Sequence, residues 1–266
     1  MTSKGKGKRK IAWVVLALSI CAMAAFGYKL RGIQQVYKTG AGGYERLAER
    51  VRPGGAPQGA LPLAAATDTG TGAAALAKVW VPPMGIDFNL LKSINEDASA
   101  WLYCPDTVID YPVMRAGDYD HYLHYLPDGA YNANGSLFID YNNAPDFSDS
   151  LTVIYGHHMK SGQMFGSLKG YKGQEYFENH PYMYLYTEQG DYRIDLMYGC
   201  VIAAGEWRER AFMYDLNLDA LLDYAASNTT FESGVGYAKG DRVVAMSTCS
   251  YEFNDARYVV LGILRS

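Results

Sequence analysis

The chain has 266 residues and a formal net charge of −4 at pH 7. It is long enough to bury a substantial core, either as one large domain or as two small ones. The small negative charge excludes the basic footprint that is typical of nucleic-acid-binding proteins, so no nucleic-acid partner is expected.

The N-terminus predicts a membrane anchor. Residues 1–10 (MTSKGKGKRK) are basic, and residues 11–28 (IAWVVLALSICAMAAFGY) form an uncharged run of 18 residues. That length is near the minimum for a helix that spans a bilayer, and the preceding basic residues hold their end in the cytoplasm. A cleaved signal peptide is the alternative, because AMAAFG offers small residues for cleavage. With either outcome, the rest of the chain is expected to be extracellular.

The next segment, residues 29–78, is expected to be a flexible extracellular spacer. Most of it is rich in Gly, Ala, Pro and Thr, as in RPGGAPQGALPLAAATDTGTGAAA, and such a composition supplies no core-forming face. Within it, a short helix is predicted over residues 44–51.

The folded domain is predicted to span residues 79–266. A helix that begins near Phe88 leads into a series of strand-like runs, and a second helix is predicted around residues 218–225. A hairpin is predicted with its turn at Gln189-Gly190. The strand-like runs are AWLYC, TVIDYPVMRA, GSLFIDYNN, LTVIY, the two hairpin arms, DRVVAMSTC and ARYVVLGIL. At least six strands and few helices indicate a mostly β fold, either a mostly antiparallel barrel or a sandwich.

Three of the four cysteines lie outside the predicted anchor. Because three is an odd number, at least one of Cys104, Cys200 and Cys249 has no partner within the chain. Cys104 and Cys200 are expected to be buried thiols, since cysteine packs well in cores, and a disulfide between them is the alternative.

Cys249 is the candidate nucleophile. It ends a β-run and is followed by the polar loop SYEFND, and strand ends are positions at which folds present functional groups. A thiol is mostly protonated at neutral pH, so it needs a base or a cation nearby. His157 also follows a β-run, and Arg257 begins the strand after Cys249. If these last two strands pair as a hairpin, Cys249 and Arg257 reach one cleft.

These three residue types together fit acyl transfer through a thioester. The arginine fork can hold a carbonyl oxygen or the oxyanion formed when the thiolate attacks it. A histidine can protonate the leaving amine. Unrelated structural roles for His157, Cys249 and Arg257 are the alternative. No cluster of side chains has a clear metal-ligand spacing, so no metal or organic cofactor is expected.

Four segments, in this order along the chain, resemble the class B sortases, which are cysteine transpeptidases of Gram-positive bacteria. The resemblance covers residues 88–264. The segments are INEDASAWLYCPDTVIDYPVMRAGDYDHYLHY, NGSLFIDYNN, VIYGHHMKSGQMFGSLKGY and STCSYEFNDARYVVLG. The resemblance to the class B sortases implies a closed, sortase-like β-barrel of about eight strands, with an N-terminal helix and a helix between strands six and seven.

By the same resemblance, Cys249 matches the nucleophile, His157 the general acid and base, and Arg257 the arginine that faces the thiol. His157 is preferred over His158 because the histidine of the family directly follows a glycine, here Gly156. Residues that line the substrate groove of such enzymes match Tyr155, Ser247 and Leu123.

The resemblance also implies a function. A membrane-anchored sortase cleaves a C-terminal sorting signal of secreted proteins after its threonine and holds the acyl group as a thioester, here on Cys249. It then transfers the acyl group to an amine of a peptidoglycan precursor or to a pilin lysine. Class B members usually favour an Asn-Pro-x-Thr-like signal. The expected location is therefore the cell membrane, with one membrane pass and an extracellular catalytic domain.

The chain departs from the family in one motif. The family usually has Thr-Leu-Ser-Thr-Cys, whereas this chain has Ala245 and Met246 at the first two positions.

Two alternative functions remain. A secreted cysteine hydrolase would use the same residues but transfer the acyl group to water. A catalytically silent surface-binding module would use the same barrel without chemistry.

Overall fold

The structure, a computed structural model, describes residues 3–54, 82–115, 117–211 and 214–266. The side chains of residues 3–12, 14, 17 and 211–217 lie outside this description.

In the part of the chain that the structure describes, eight strands close into a barrel in the order β1-β2-β3-β4-β7-β8-β6-β5. They are β1 (Ala98–Tyr103), β2 (Asp110–Arg115), β3 (Leu137–Ile139), β4 (Leu151–Tyr155), β5 (Tyr182–Thr187), β6 (Gly190–Ala203), β7 (Val243–Cys249) and β8 (Ala256–Arg265). Closure pairs each of these described strands on both sides, so none of them forms an open sheet edge. The predicted closed barrel is confirmed, and the sandwich alternative is wrong.

The strand pairing is mixed. β2 pairs with β3 and β4 pairs with β7 in parallel, whereas the other described pairs are antiparallel. The parallel pair β4–β7 brings the C-terminal ends of two strands to the same end of the barrel. The β5–β6 hairpin pairs Thr187 with Gly190, so its turn is Glu188-Gln189, one residue earlier than the sequence predicts.

Apolar side chains cover both faces of the sheet around β4, β7 and β8. Ile154, Met246 and Val260 belong to the cluster that fills the barrel, whereas Val153 and Leu261 pack on the outer face. Burial on both faces explains why these strands are continuous apolar runs rather than alternating ones.

The chain segment that connects β6 to β7 forms two helices, and both pack on the outer face of the barrel. The predicted helix there is α6 (Tyr214–Ser227), which buries Leu218, Leu221 and Leu222 against the strands. A second helix, α5 (Ala204–Ala211), was not predicted, and it follows β6 directly. Its Trp207 is buried in the same cluster.

The shorter helices lie around the barrel. They are α2 (Phe88–Ile94), α3 (His121–His124), a 3₁₀ helix (Phe165–Lys172) and α4 (Gln174–Asn179). The predicted helix near Phe88 is thus confirmed as α2. It begins at Asp87, whose side chain accepts a hydrogen bond from the Leu90 amide at 2.9 Å.

The first helix, α1, spans Ser3–Val51. Among the described helices, none has a stretch with the length and apolar character needed to traverse a bilayer. The predicted membrane segment lies within α1, and the side chains of four of its residues, at positions 11, 12, 14 and 17, fall outside the description.

The prediction of a flexible spacer is wrong for residues 29–43, because they are helical. The short helix predicted over residues 44–51 is confirmed as the end of α1, which packs against the domain. Tyr44 and Val51 are buried there, and the Tyr44 hydroxyl donates a hydrogen bond to the Gly135 carbonyl. Gly40 permits this close packing, since a Cβ at that position would overlap the Asn134 side chain. The remainder of the predicted spacer, residues 55–78, lies outside the described residues.

Cys104 and Cys200 are separate buried thiols, and neither forms a disulfide. Burial raises the pKa of the Cys104 thiol to about 11 and that of the Cys200 thiol to about 12. Both groups therefore stay protonated and poorly nucleophilic at neutral pH.

Candidate active site

The β7–β8 hairpin places Cys249 directly opposite Arg257. The two residues are Cα partners in the antiparallel ladder, at the end where β7 stops and β8 begins. Side chains of such partners point to the same face, with Cβ atoms about 4.5–5.5 Å apart. Cys249 is exposed at this position, so its thiol can meet a substrate.

His157 reaches the same end of the barrel through β4. The end of β4 is pinned to β7, because the Gly156 amide donates to the Ser247 carbonyl at 3.2 Å. The Thr248 hydroxyl donates to the Gly156 carbonyl at 2.8 Å. Only glycine fits at position 156 without a shift of its neighbours, since a Cβ there would overlap Leu137 and lie 2.7 Å from Phe165 Cδ2.

The imidazole of His157 is held by α3. Its Nε2 lies 2.8 Å from the carbonyl oxygen of Leu123. Because a carbonyl oxygen only accepts hydrogen bonds, Nε2 carries a proton in this contact. Nδ1 is therefore the ring nitrogen that can exchange a proton with a reacting group.

His158 occupies a different place. Its Nδ1 lies 2.7 Å from the backbone carbonyl oxygen of Cys249, and its ring packs edge-on against Tyr251. It is not among the residues that line the groove beside the thiol. His158 thus contacts the backbone of the candidate nucleophile, whereas His157 faces the groove.

A groove of about 360 Å³ connects the three candidate catalytic residues. All three residues that the sequence predicts for substrate binding line it together with His157, Cys249 and Arg257. The lining is completed by residues of α5, β3 and β7, by the glycine after β4 and by a tyrosine in the loop before α3. The full set is Tyr119, Leu123, Phe138, Tyr155, Gly156, His157, Ala204, Trp207, Arg208, Ser247, Thr248, Cys249 and Arg257.

Two buried polar atoms of the groove lining have no hydrogen-bond partner within the described residues. They are the Ser247 hydroxyl and the indole nitrogen of Trp207. The exposed fractions of Ser247 and Trp207 are 1% and 3%. Buried polar groups are rarely left unpaired in folded proteins, so each of these two donors retains unused hydrogen-bonding capacity in the groove wall.

The loop after Cys249 is fixed to the 3₁₀ helix. Lys172 donates a hydrogen bond to the Ser250 hydroxyl at 3.0 Å and forms a salt bridge with Glu252. Ser250 also donates to Glu252. Desolvation alone would raise the pKa of Glu252, but the hydrogen bonds from Lys172 and Ser250 hold this pKa at about 2. The carboxylate is therefore ionised at every physiological pH.

Sequence reasoning missed part of this site. Trp207 and Arg208 come from α5, whose short sequence AGEWRERA has too few apolar residues for a clear helical period. Tyr119 lies in the loop before α3, among several tyrosines that look alike in the sequence. The hydrogen bond between His157 and the backbone carbonyl of Leu123 cannot be predicted from the sequence, because every residue type carries the same carbonyl group.

Comparisons with known proteins find relatives among the sortases. The chain is 30% identical to sortase B of Listeria monocytogenes over 177 residues, which is 65% of this chain and 72% of that protein. It is 27% identical to sortase B of Staphylococcus aureus over 178 residues, or 66% and 73% of the two chains. No protein-family model matches the chain.

Solved structures share the same barrel. The crystal structure of Staphylococcus aureus sortase B matches with a TM-score of 0.62 at 25% identity, over 67% of this chain and 86% of that one. The complex of that enzyme with a substrate matches with a TM-score of 0.62 at 26% identity, over 67% and 84% of the two chains. A Streptococcus pyogenes class B sortase involved in pilus biogenesis matches with a TM-score of 0.61 at 27% identity, over 68% and 99%.

Proposed function

Since this chain belongs to the class B sortases and is a cysteine transpeptidase, we propose that Cys249, His157 and Arg257 are its catalytic residues. The observation that carries the proposal is their convergence on one groove. Cys249 and Arg257 are direct cross-strand partners, and His157 lines the same groove from β4. A nucleophile, a proton carrier and a fixed cation are the groups that acyl transfer through a thioester requires.

In the first half of the reaction, His157 Nδ1 takes the proton of the Cys249 thiol. The thiolate attacks the carbonyl carbon at the scissile bond of the sorting signal, and Arg257 stabilises the negative oxygen that forms. The C–S bond forms and the C–N bond breaks as His157 returns its proton to the leaving amine. The product is an acyl thioester on Cys249 and a released C-terminal peptide.

In the second half, an amine attacks the thioester carbonyl. The new C–N bond forms, the C–S bond breaks and Cys249 leaves as a thiolate. The proton that the amine loses passes to His157, which restores the thiolate–imidazolium pair. Tyr155, Ser247 and Leu123 line the groove that would hold the acyl peptide during both halves.

The proposed substrates are secreted proteins that carry a C-terminal sorting signal. The proposed acceptor is an amine of a peptidoglycan precursor or a pilin lysine. The complex of Staphylococcus aureus sortase B with a substrate supports a peptide donor for this chain. A sortase B complex with triglycine supports an amine acceptor, and the Streptococcus pyogenes relative in pilus biogenesis supports a pilin lysine.

We further propose that residues 11–28 anchor the enzyme in the cell membrane, with residues 1–10 in the cytoplasm and the catalytic domain, residues 79–266, outside. The uncharged run behind a basic segment supports this orientation. Large apolar side chains along α1, including Trp13, Ile20 and Phe26, are exposed and would otherwise face water. Protease treatment of intact cells tests the orientation, since it should remove the domain and spare the N-terminus.

Incubation of the full chain in detergent with an Asn-Pro-x-Thr peptide and triglycine tests the proposed chemistry. The expected result is cleavage of the peptide and formation of a ligated product, both abolished in Cys249→Ala. Persistent hydrolysis without ligation across several amines would overturn the transferase assignment in favour of a hydrolase. Neither cleavage nor a Cys249 adduct with a thiol-reactive peptide analogue would instead indicate a silent binding module.

A further inference from the structure

A buried carboxylate lies directly behind one wall of the groove. Asp140 follows β3 and is fully buried. The hydroxyl of Tyr119 donates to its two carboxylate oxygens, at 3.0 and 3.2 Å, and the hydroxyl of Tyr155 donates to one of them at 3.0 Å. The backbone amide and the side-chain amide of Asn142 each donate to Asp140 at 3.0 Å.

The charge of this carboxylate is not balanced by a cationic side chain of the described residues. Within the part of the chain that the structure describes, Asp140 takes part in no salt bridge. A buried charge is normally paired with an opposite charge or with a bound cation, because hydrogen bonds alone only partly replace its hydration. Asp140 therefore gives this wall of the groove a negative field.

Tyr119 and Tyr155 connect the buried carboxylate to the groove, because each donates a hydrogen bond to Asp140 and each lines the groove. Tyr119 and Tyr155 both line the groove, and their rings meet edge-on with centroids 6.0 Å apart. Because both hydroxyls donate to Asp140, the carboxylate makes both groove-lining phenols more electron-rich. The Tyr119 oxygen also accepts a hydrogen bond from the Asn142 side chain at 3.4 Å. Aromatic faces of this kind attract cations, more strongly where water is excluded.

The cationic side chains of the groove lie on the other side of the nucleophile strand. Tyr155 belongs to β4 and Arg257 to β8, and these two strands flank β7. Arg208 extends the basic side from α5. An incoming ammonium group would be repelled by the two arginines and drawn to the tyrosine wall.

We propose that Tyr119, Tyr155 and Asp140 form the subsite that binds the acceptor amine in its ammonium form, an inference that rests on the proposed transpeptidase function. Tyr119 and Tyr155 contact the ammonium, and Asp140 is a positioning residue that acts through both phenols. The bound ammonium loses one proton to water and becomes a nucleophile. It loses the second to His157 as the C–N bond forms and the Cys249 thiolate departs.

The test is the partition of the thioester between an amine and water. With an Asn-Pro-x-Thr peptide as donor, the ratio of ligated to hydrolysed product is measured against triglycine concentration. This ratio is independent of how fast the thioester forms. In Asp140→Asn, the triglycine concentration for half-maximal ligation should rise on the order of tenfold, and in Tyr119→Phe on the order of threefold.

Two controls separate a charge effect from general damage. Tyr141→Phe alters a neighbouring tyrosine, 4.6 Å from the Tyr119 ring but outside the groove lining, and should leave the partition unchanged. Hydroxylamine, which is uncharged at neutral pH, should compete with water equally well in all variants, because it gains nothing from a negative subsite.

An unchanged triglycine dependence in both Asp140→Asn and Tyr119→Phe would overturn the subsite, as would an equal loss with hydroxylamine. If Asp140→Asn fails to fold, Tyr119→Phe alone decides, because it leaves the buried carboxylate in place. Absence of any thioester in the unaltered protein would contradict the proposed function itself, which is a distinct outcome from thioester formation with unchanged partition.

Discussion

Cys249 and Arg257 face each other across the β7–β8 ladder as direct partners, at the end of the hairpin where the connecting loop begins. The pairing depends on register, because a shift of one residue would move one of the side chains to the other face of the sheet. Ser247 and Val259 are partners two positions further along the same ladder. The apolar runs of both strands, buried on both faces, hold that register.

Arg257→Lys should lower the rate of peptide cleavage on the order of 10²-fold, although the charge is kept. Lysine is a point charge and lacks the planar fork that can hold an oxyanion in a fixed direction. The kcat of cleavage by the full chain measures the effect. Arg265→Lys, at the far end of β8, is the matched control. Cleavage near the unaltered rate in Arg257→Lys would exclude a role for its fork geometry.

His157→Ala should reduce cleavage by about 10² to 10⁴-fold, which is the usual contribution of a general acid and base. His158→Ala should cost no more than about tenfold, since it loses one hydrogen bond to the Cys249 carbonyl. The two variants are compared through kcat/KM for the same peptide. An equal or larger loss in His158→Ala would reverse the assignment of the two histidines.

Ser247→Ala should raise KM for the peptide on the order of fivefold without lowering Tm. The Ser247 hydroxyl is buried and has no partner in the described part of the chain, so its removal costs the free enzyme no hydrogen bond. Peptide titration and a thermal melt measure the two effects. A lower Tm together with an unchanged KM would show that the hydroxyl supports the fold rather than the substrate.

Glu252→Gln should lower Tm by an amount that depends on pH. The pKa of Glu252 in the folded protein, about 2, is below its ordinary value of 4.5, so the ionised carboxylate stabilises the fold above about pH 4.5. That stabilisation is lost as the pH falls toward 2. Because the pair with Lys172 is partly exposed, it is worth no more than about 1 kcal/mol.

Melts of the unaltered protein and of Glu252→Gln at several pH values provide the check. The difference in Tm should be constant from pH 7 to about 4.5 and should shrink between about 4.5 and 2. Glu49→Gln, which alters an exposed glutamate of α1, is the control and should show no such difference. A Tm difference between Glu252→Gln and the unaltered protein that is independent of pH would contradict the link to Lys172.

The sequence predicts the strands well, and with them the strand-end positions of the candidate catalytic residues, because these features are local. LTVIY and VVAMSTC are apolar runs that end at polar or glycine residues, so their strand ends, and hence His157 and Cys249, can be located without a structure. The helix between the sixth and seventh strands is also predicted, since Leu218, Leu221 and Leu222 repeat with a helical period.

Features that depend on tertiary contacts are not predictable in this way. Gly40 suggests flexibility in the sequence, yet it permits α1 to pack closely against Asn134. The sequence indicates Leu123 only as a residue that lines the substrate groove, whereas in the fold its carbonyl also accepts a hydrogen bond from His157. In the sequence, Asp140 is an ordinary polar residue after a strand. Its hydrogen bonds with Tyr119 and Tyr155 depend on the folded structure.

Intact-mass spectrometry of the full chain after brief incubation with an Asn-Pro-x-Thr peptide and an acid quench tests the central claim most directly. The account predicts a mass increase equal to the acyl part of the cleaved peptide, mapped to Cys249 and absent in Cys249→Ala. Because burial raises the pKa of Cys104 and of Cys200, neither should carry the adduct. Continued cleavage by Cys249→Ala, or an acyl adduct on any other residue, would contradict it.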